Sequence, residues 1–157
     1  MNTIKLFCDG SVNPQKKIGY GAYFVCSGIV TLESAKQKVQ VKRFVDTSST
    51  KLELDGLLWA LEDVALINKK IIIYTDCQNI IGLESRREKL ELNKFKSSKG
   101  KLLNNHELYK IFYEKMDEFN CTFIKVKGHK PSKEKDLIDS LFTLVDRNSR
   151  DALRNNT

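Results

Sequence analysis

The pattern of hydrophobic and polar residues divides the chain into three β-prone segments followed by alternating helices and strands. Residues 3–9, 19–28 and 35–44 predict strands, and the alternation in the third segment is typical of a half-exposed strand in an antiparallel sheet. Leucines then recur at intervals of three and four residues over 49–66, which predicts an amphipathic helix. The run KIIIYTD at 70–76 is apolar at successive positions, which indicates a strand buried on both faces between parallel neighbours.

The rest of the chain continues this alternation. Helical spacing covers 78–92 and 104–119 with a basic loop between them at 94–103, a strand is predicted at 121–127, and a last helix covers about 132–153. The order is three strands, a helix, a strand, two helices, a strand and a helix. That order favours a mixed sheet with helices on its faces.

The composition fits one globular domain, residues 1–157, with a surplus of basic side chains. The 27 Lys and Arg residues exceed the 20 Asp and Glu residues, and the net charge of +7 hints at a polyanionic partner such as nucleic acid. No run approaches the roughly 18 apolar residues of a membrane span, and the N-terminus lacks the pattern of a secretory signal. The four cysteines form no CxxC pair, which argues against a structural zinc site and favours reduced thiols in a cytoplasmic protein.

Acidic side chains stand where separate elements could bring them together. Asp9 and Asp76 end the apolar runs of two predicted strands, Glu53 lies in the first turn of a predicted helix, and Asp146 lies in the last helix. Taken singly, an aspartate after a strand is usually a turn or cap residue, and a first-turn glutamate usually complements the helix dipole. As a converging set these acids would repel one another. A hard divalent cation such as Mg²⁺, which takes oxygen ligands, would relieve that repulsion.

Six sequence blocks carry a resemblance to a known family. They are FCDGSVNP, GYGAYFV, STKLELDGLLWAL, IYTDCQNI, VKGHKP and VDRNSRDAL, in that order from about Ile4 to Leu153. Together they resemble the type 1 ribonuclease H family, and each block lies on the element that the family requires. The resemblance implies an α/β ribonuclease H-like fold, with a five-stranded mixed sheet in the order 3-2-1-4-5 and helices on both faces. It also places the first and fourth strands side by side.

The metal-binding acids of the family correspond to Asp9, Glu53, Asp76 and Asp146. The resemblance implies that they bind two Mg²⁺ ions, with Mn²⁺ as an alternative, for phosphodiester hydrolysis. The implied reaction cuts the RNA strand of RNA/DNA hybrids internally and leaves a 5′-phosphate and a 3′-hydroxyl. His129, in the KGHKP block, matches a histidine of a mobile loop and is implied to shuttle protons or assist product release.

The fourth acid has a competitor. Asp139 is ten residues after His129 and Asp146 is seventeen, because the segment between the histidine and VDRNSRDAL is longer than in many relatives. The two aspartates are seven residues apart and share one helix face, so periodicity cannot separate them. The match of the downstream block favours Asp146, and Asp139 stays the alternative.

Substrate contacts are implied at positions next to these acids. The resemblance gives Gly10, Ser11, Asn13, Ser49, Thr50, Cys77 and Gln78. Ser49 and Thr50 stand where asparagines are common in relatives, and their shorter side chains are expected to reach the 2′-hydroxyls of the minor groove less well. Cys77 stands where serine is frequent, and a thiol is a weaker hydrogen-bond donor.

A basic cluster over 86–101 is a second predicted part of the substrate surface. Its seven basic residues against two acids give +5 of the net +7. Such a cluster resembles the basic protrusion with which some members hold the DNA strand of the hybrid, through phosphate contacts that read no bases. The alternative is a solvated helix face and a flexible loop. Phe95, the only aromatic residue in the basic run, has two possible roles, since it could stack or pack beneath the loop. The basic residues are Arg86, Arg87, Lys89, Lys94, Lys96, Lys99 and Lys101.

Two other functions stay open at this point. One is a non-catalytic nucleic-acid-binding module of the same fold, and the other is a structure-specific DNA nuclease. The complete acid set favours a nuclease over a binding module. The expected partner is an RNA/DNA hybrid, with no membrane, and the chain is expected to act as a monomer.

Overall fold

The molecule is built on a five-stranded sheet in the order β3-β2-β1-β4-β5. The computed structural model describes residues 3–64, 69–127 and 136–156. The strands are β1 (Thr3–Asn13), β2 (Ile18–Cys26), β3 (Gln40–Val45), β4 (Lys70–Thr75) and β5 (Asn120–Lys125). The helices are α1 (Leu32–Ala35), α2 (Ser49–Val64), α3 (Gln78–Leu92), α4 (His106–Glu118) and α5 (Leu137–Asn156). Within the described ranges, no helix combines the length and the apolar character needed to cross a membrane.

The sheet is mixed, as the order of elements predicts. β2 runs antiparallel to β1 and β3, whereas β4 runs parallel to β1 and β5. Alternate residues of β4 enter two different cores, with Ile71 and Ile73 on one face and Ile72 and Tyr74 on the other. The sheet order and the burial of the fourth strand on both faces are therefore confirmed.

Helices cover both faces of the sheet. On one face, Leu54 of α2 and Phe112 of α4 pack with Leu6 of β1. On the other face, Leu141 of α5 packs with Phe7, the next residue of β1. Because successive strand residues point to opposite faces, β1 is held between α2 and α5. Burial of each side chain of this size stabilises the fold by about 1.5–3 kcal/mol, so these contacts hold the two helices against β1.

Three elements differ from the prediction. β3 begins at Gln40 and not at residue 35, because Ala35 belongs to the short helix α1, and the residues of β3 are mostly exposed where a half-exposed strand was expected. β1 continues to Asn13 because β2 keeps pairing with it, and Asp9 lies opposite Ala22 in that ladder. The expectation that Asp9 ends its strand is therefore wrong. The hydrophobic pattern also does not predict α1, which spans four residues and is too short to show a helical period. The signal for α1 is its cap, in which Thr31 Oγ1 accepts a hydrogen bond from the Ser34 backbone N–H at 3.1 Å.

Candidate active site

The end of β4 brings Asp76 beside Asp9. The parallel pairing of β1 with β4 extends as far as Phe7 and Tyr74, and β4 ends at Thr75. β1 continues along β2 past this point, so Asp9 lies where the chain leaves β4. Asp76 is exposed, and its charge acts on the carboxyl group of Asp9. The different lengths of two adjacent strands thus place the two acids together.

α2 lies close against the sheet and carries Glu53 to the same place. A Cβ atom at Gly19 would stand 2.6 Å from Leu52 Cδ2, and one at Gly10 would stand 3.1 Å from it. Glycine at these positions lets α2 approach β1 and β2, since a side chain would have to displace Leu52. Glu53 follows Leu52 directly, is half-buried, and interacts with the charge of Asp76.

The Cys77 thiol links Glu53 to the start of α3. Cys77 Sγ donates to Glu53 Oε2 at 2.7 Å and accepts from the Ile80 backbone N–H at 3.5 Å as the N-cap of α3. Burial and the hydrogen bond to Glu53 raise the pKa of Cys77 to about 12. Cys77 therefore stays protonated at neutral pH and can act as the donor to the carboxylate.

α5 brings Asp146 to Asp9 from the opposite face of the sheet. The two carboxyl groups interact closely enough for Asp146 to raise the pKa of Asp9. Arg150, one turn further along α5, pairs with Asp146 at two points, with Nε 3.0 Å from Oδ1 and Nη2 2.5 Å from Oδ2. The structure thus joins the fourth acid to the first and supplies it with a cation from its own helix.

Asp139 takes part in a different contact, at the start of α5. Its backbone N–H donates to Asp136 Oδ1 at 2.8 Å, and its Oδ2 accepts from the Asp136 backbone N–H at 3.4 Å. This reciprocal cap satisfies the first turn of the helix. Seven residues of helix separate Asp139 from Asp146, a distance of about 10 Å along the axis. The geometry therefore favours Asp146 as the fourth acid of the cluster.

The clustering makes Asp9 hard to ionise. Burial is the largest cause, followed by the charge of Asp76 and the hydrogen bond with Asp146, and together they raise the pKa of Asp9 to about 8. Burial also raises the pKa of Glu53, while the hydrogen bond from Cys77 opposes this rise and Asp76 adds to it. Carboxyl groups placed in this way favour a proton or a metal cation between them.

The donor atoms at this cluster suit a hard divalent cation, since all four acids offer carboxylate oxygens. In residues 3–64, 69–127 and 136–156, no set of three or more His, Cys, Asp or Glu side chains is spaced as a ready-made metal site. The contacts of Asp146 with Asp9 and Arg150 keep its carboxylate oxygens engaged inside the protein. The residue types fit Mg²⁺ chemically, although their arrangement in this structure is not that of a formed metal site.

Comparison with known proteins identifies the family of this chain. The sequence model described as RNase H matches residues 1–145. The chain belongs to the RNase H family. The matched region ends one residue before Asp146, so the family match does not include this acid.

Two curated relatives of this RNase H family chain cover nearly its whole length. A protein named Ribonuclease H from Clostridium botulinum (strain Hall) is 27% identical over 147 residues, which is 90% of this chain and 93% of that protein. A protein of the same name from Ruthia magnifica is 26% identical over 146 residues, 92% of this chain and 96% of that protein.

Solved structures share the fold at low sequence identity. The crystal structure of LC9-RNase H1, described as a type 1 RNase H with the type 2 active-site motif, matches 99% of this chain and 74% of its own with a TM-score of 0.72 and 12% identity. The foamy viral protease-reverse transcriptase in complex with an RNA/DNA hybrid matches 96% of this chain and 19% of its own with a TM-score of 0.69 and 12% identity. These likenesses support the ribonuclease H-like sheet described above.

The predicted substrate residues of β1 lie next to the acids of this RNase H family chain. Ser11 and Asn13 continue β1 beyond Asp9. Ser11 Oγ lies 3.1 Å from Ser149 Oγ on α5, and Asn13 Oδ1 accepts from the Gln15 backbone N–H at 3.1 Å. Ser11 therefore helps to hold α5 against β1, and Asn13 shapes the turn into β2.

Other predicted substrate residues lie at the starts of two helices. Ser49 and Thr50 form the first turn of α2, ahead of Glu53. Gln78 opens α3, and its Oε1 accepts from Lys125 Nζ at 2.8 Å. His129 lies outside the described residues, so its role stays a prediction.

A concave surface of about 710 Å³ lies between the end of α3 and the loop that follows it. Arg86, Lys89 and Lys96 line this surface, together with serine and glycine residues of the loop. Phe95 is buried below the loop, and its ring centroid lies 6.4 Å from that of Tyr113. Packing beneath the loop, the alternative considered for Phe95, is confirmed. Exposed in the same loop are Lys94, Lys99 and Lys101.

Arg87 differs from the other basic residues of this segment. Its guanidinium forms a two-point ion pair with Asp117 on α4, with N–O distances of 2.6 and 2.8 Å, and lies 5.0 Å from the ring of Tyr113. These contacts tie α3 to α4. The guanidinium of Arg87 is thus engaged by Asp117, which argues against the predicted contact of Arg87 with substrate.

Two contacts of the site were missed by sequence reasoning. The four-residue spacing of Asp146 and Arg150 is that of an ion pair on one helix face, so this pair could be found from the letters DRNSR. The bond between Cys77 and Glu53 joins residues 24 positions apart. It has no local signal, because it arises only when α2 and the start of α3 pack against the same end of the sheet.

Proposed function

We propose that this protein is a metal-dependent endonuclease that cleaves the RNA strand of RNA/DNA hybrids and leaves a 5′-phosphate and a 3′-hydroxyl. The observation that carries the proposal is the linkage of four acids from four separate elements at one end of β4. Glu53 interacts with Asp76, Asp76 with Asp9, and Asp9 with Asp146. Membership of the RNase H family and the names of the curated relatives support the same reaction class.

The four acids would hold two Mg²⁺ ions, with Mn²⁺ as an alternative. Bound Mg²⁺ polarises phosphoryl oxygens and lowers the pKa of a bound water, which is the chemistry of phosphodiester hydrolysis. Asp9 interacts with both Asp76 and Asp146, so it would be shared by the ligand sets of both ions. The Cys77 thiol holds Glu53 in its rotamer, and the close approach of Leu52 to Gly19 fixes the backbone beneath it.

The basic loop after α3 would hold the duplex through its phosphates. Lys96, Lys99 and Lys101 are exposed there, and the concave surface beside them accepts a backbone strand. Lysine side chains form salt-dependent contacts with phosphates, and such contacts position a duplex without reading its sequence. Foamy viral enzymes with the same fold were solved with an RNA/DNA hybrid and with double-stranded DNA, which supports a nucleic-acid duplex as the ligand class.

Cleavage of three matched duplexes in Mg²⁺ tests the proposal. An RNA/DNA hybrid, a double-stranded RNA and a double-stranded DNA of one sequence are incubated with the wild type, and the products are analysed for their 5′ and 3′ ends. We expect cleavage of the hybrid alone. Binding of the hybrid without cleavage would support the non-catalytic module, and cleavage of the DNA duplex would support a DNA nuclease.

Two pairs of variants test the assignment of the acids. Asp146→Asn is expected to lower hybrid cleavage by on the order of 10²-fold, while the exposed Asp151→Asn on the same helix leaves it unchanged. Asp139→Asn is expected to retain cleavage, because Asp139 belongs to the cap of α5. Loss of cleavage in Asp139→Asn with activity retained in Asp146→Asn would show that the fourth acid is misassigned.

That the protein acts in the cytoplasm as a monomer stays a prediction.

A further inference from the structure

Arg150 holds the fourth acid of the cluster by both of its oxygens. Nε and Nη2 of Arg150 lie 3.0 and 2.5 Å from Oδ1 and Oδ2 of Asp146. Arg–carboxylate pairs with two parallel contacts are among the stronger ion pairs in proteins. The Asp146 side chain is 22% exposed and that of Arg150 is 48% exposed, so the carboxylate is partly buried while the guanidinium reaches solvent.

The same arginine is near the centre of the acid cluster. The charge of Arg150 acts on Asp9 as well as on Asp146, and the carboxyl groups of Asp9 and Asp146 also act on each other. Arg150 thus supplies positive charge at the point where the acids of β1 and α5 meet. A metal ion at this point would need carboxylate oxygens that Arg150 now engages.

We propose that Arg150 is the resident counterion of this acid cluster and competes with a divalent cation for Asp146. The inference rests on the proposed metal-dependent function. Arg150 stabilises the metal-free protein by compensating the carboxylates, and it leaves Asp146 when the cation binds. Its half-exposed position allows this movement, because the guanidinium can turn into solvent without unpacking the core.

Arg154 offers a matched control. It lies one turn further along α5, is 75% exposed, and makes a longer contact of 3.8 Å with Asp151. Arg154→Gln removes one positive charge from the same helix without touching the cluster. Arg150→Gln removes the competing cation, and Arg150→Lys keeps the charge but loses the two-point geometry.

Titration calorimetry with MgCl₂ and thermal melts in EDTA or MgCl₂ test the proposal on the whole chain without substrate. Arg150→Gln should bind Mg²⁺ roughly three- to tenfold more tightly than the wild type, should melt lower in EDTA, and should gain more from Mg²⁺. Arg150→Lys should fall between the two, and Arg154→Gln should behave as the wild type. Circular dichroism at the titration temperature checks that each variant is folded.

Unchanged or weaker Mg²⁺ binding in Arg150→Gln, with normal binding by the wild type, would overturn the counterion role and leave the proposed function standing. Equal tightening in Arg150→Gln and Arg154→Gln would also overturn it, because the effect would then be one of overall charge. Absence of Mg²⁺ binding in the wild type would refute the metal-dependent function itself, and the counterion role with it.

Discussion

Replacing Asp76 with asparagine should stabilise the protein in the absence of metal. Asp76→Asn keeps the shape of the side chain and removes one of the charges that acts on Asp9 and on Glu53. In EDTA the acids lack a divalent cation, so their mutual repulsion weakens the folded state. A change that is expected to abolish activity should therefore raise the melting temperature.

The size of the effect follows from the pKa of Asp9. A rise from 3.8 to about 8 corresponds to roughly 6 kcal/mol of disfavoured charging at about 1.4 kcal/mol per pH unit. Burial is the largest cause and Asp76 the second. Because Asp76 is exposed and its field is screened by water, we assign it about 1 kcal/mol. For a domain of this size, that is an increase of roughly 2–4 °C in melting temperature.

The pH dependence gives the prediction its sign. The pKa of Asp9 is higher in the folded state than in the unfolded state, so below about pH 4 the carboxyl is protonated in both and costs nothing. The penalty grows as the pH rises and is complete above about pH 8. Melts of the wild type in EDTA should therefore show falling stability over this window. The gain from Asp76→Asn should appear only near its upper end, where Asp9 of the folded protein begins to ionise, and should be complete above about pH 8.

Asp46→Asn is a suitable control, because Asp46 is an exposed residue with a φ of 50°, a conformation that asparagine adopts readily. This control should leave the melting temperature unchanged at every pH. In MgCl₂ the wild type should melt at a higher temperature than Asp76→Asn, since the wild type binds the cation through a complete set of acids. A lower or unchanged melting temperature of Asp76→Asn in EDTA at pH 8 would refute the electrostatic reasoning.

Three further predictions concern the surroundings of the acids. Cys77→Ala should destabilise the protein by about 1–2 kcal/mol and weaken Mg²⁺ binding, because it removes both the cap of α3 and the donor to Glu53. Cys77→Ser should retain both contacts. Equal behaviour of the two variants in melts and calorimetry would contradict this prediction. Gly19→Ala should lower stability by about 1–3 kcal/mol and reduce cleavage, because the added methyl group displaces α2 and with it Glu53. A lower melting temperature with unchanged cleavage would show that the position of α2 does not affect the site. Lys96→Gln should reduce the slope of log Kd against log salt concentration for the hybrid by about 0.9, measured by filter binding. Arg87→Gln should leave this slope unchanged, because Asp117 engages its guanidinium. A reduced slope for Arg87→Gln and an unchanged slope for Lys96→Gln would place Arg87 on the substrate surface.

Much of the fold follows from local sequence pattern. The three successive isoleucines of β4 predict a central parallel strand, and the leucine period of α2 predicts the face that packs on the sheet. These signals are strong because burial acts on every second or every third to fourth residue along one element. The boundary of β1 was not predictable in the same way, since the extension beyond Asp9 depends on its pairing with β2.

The sequence also proposes four acids for the site, through the order of its motifs. Which aspartate of α5 completes it was left to tertiary structure. Asp139 and Asp146 share a helix face, and a period of 3.6 residues cannot distinguish positions two turns apart. The packing of α5 on β1 sets the height of the helix along the strand, and this height brings Asp146 to Asp9 while Asp139 caps the first turn.

The sequence by itself predicted the five strands and the four longer helices, the faces that they bury and the acids proposed for metal chemistry. Tertiary structure decided the partners of those acids, including the thiol of Cys77 on Glu53 and the guanidinium of Arg150 on Asp146. The physical reason is the separation along the chain over which each effect acts. Propensity and periodicity act between residues a few positions apart, whereas the charge and hydrogen bonding of a site depend on distances that exist only after helices and strands have packed.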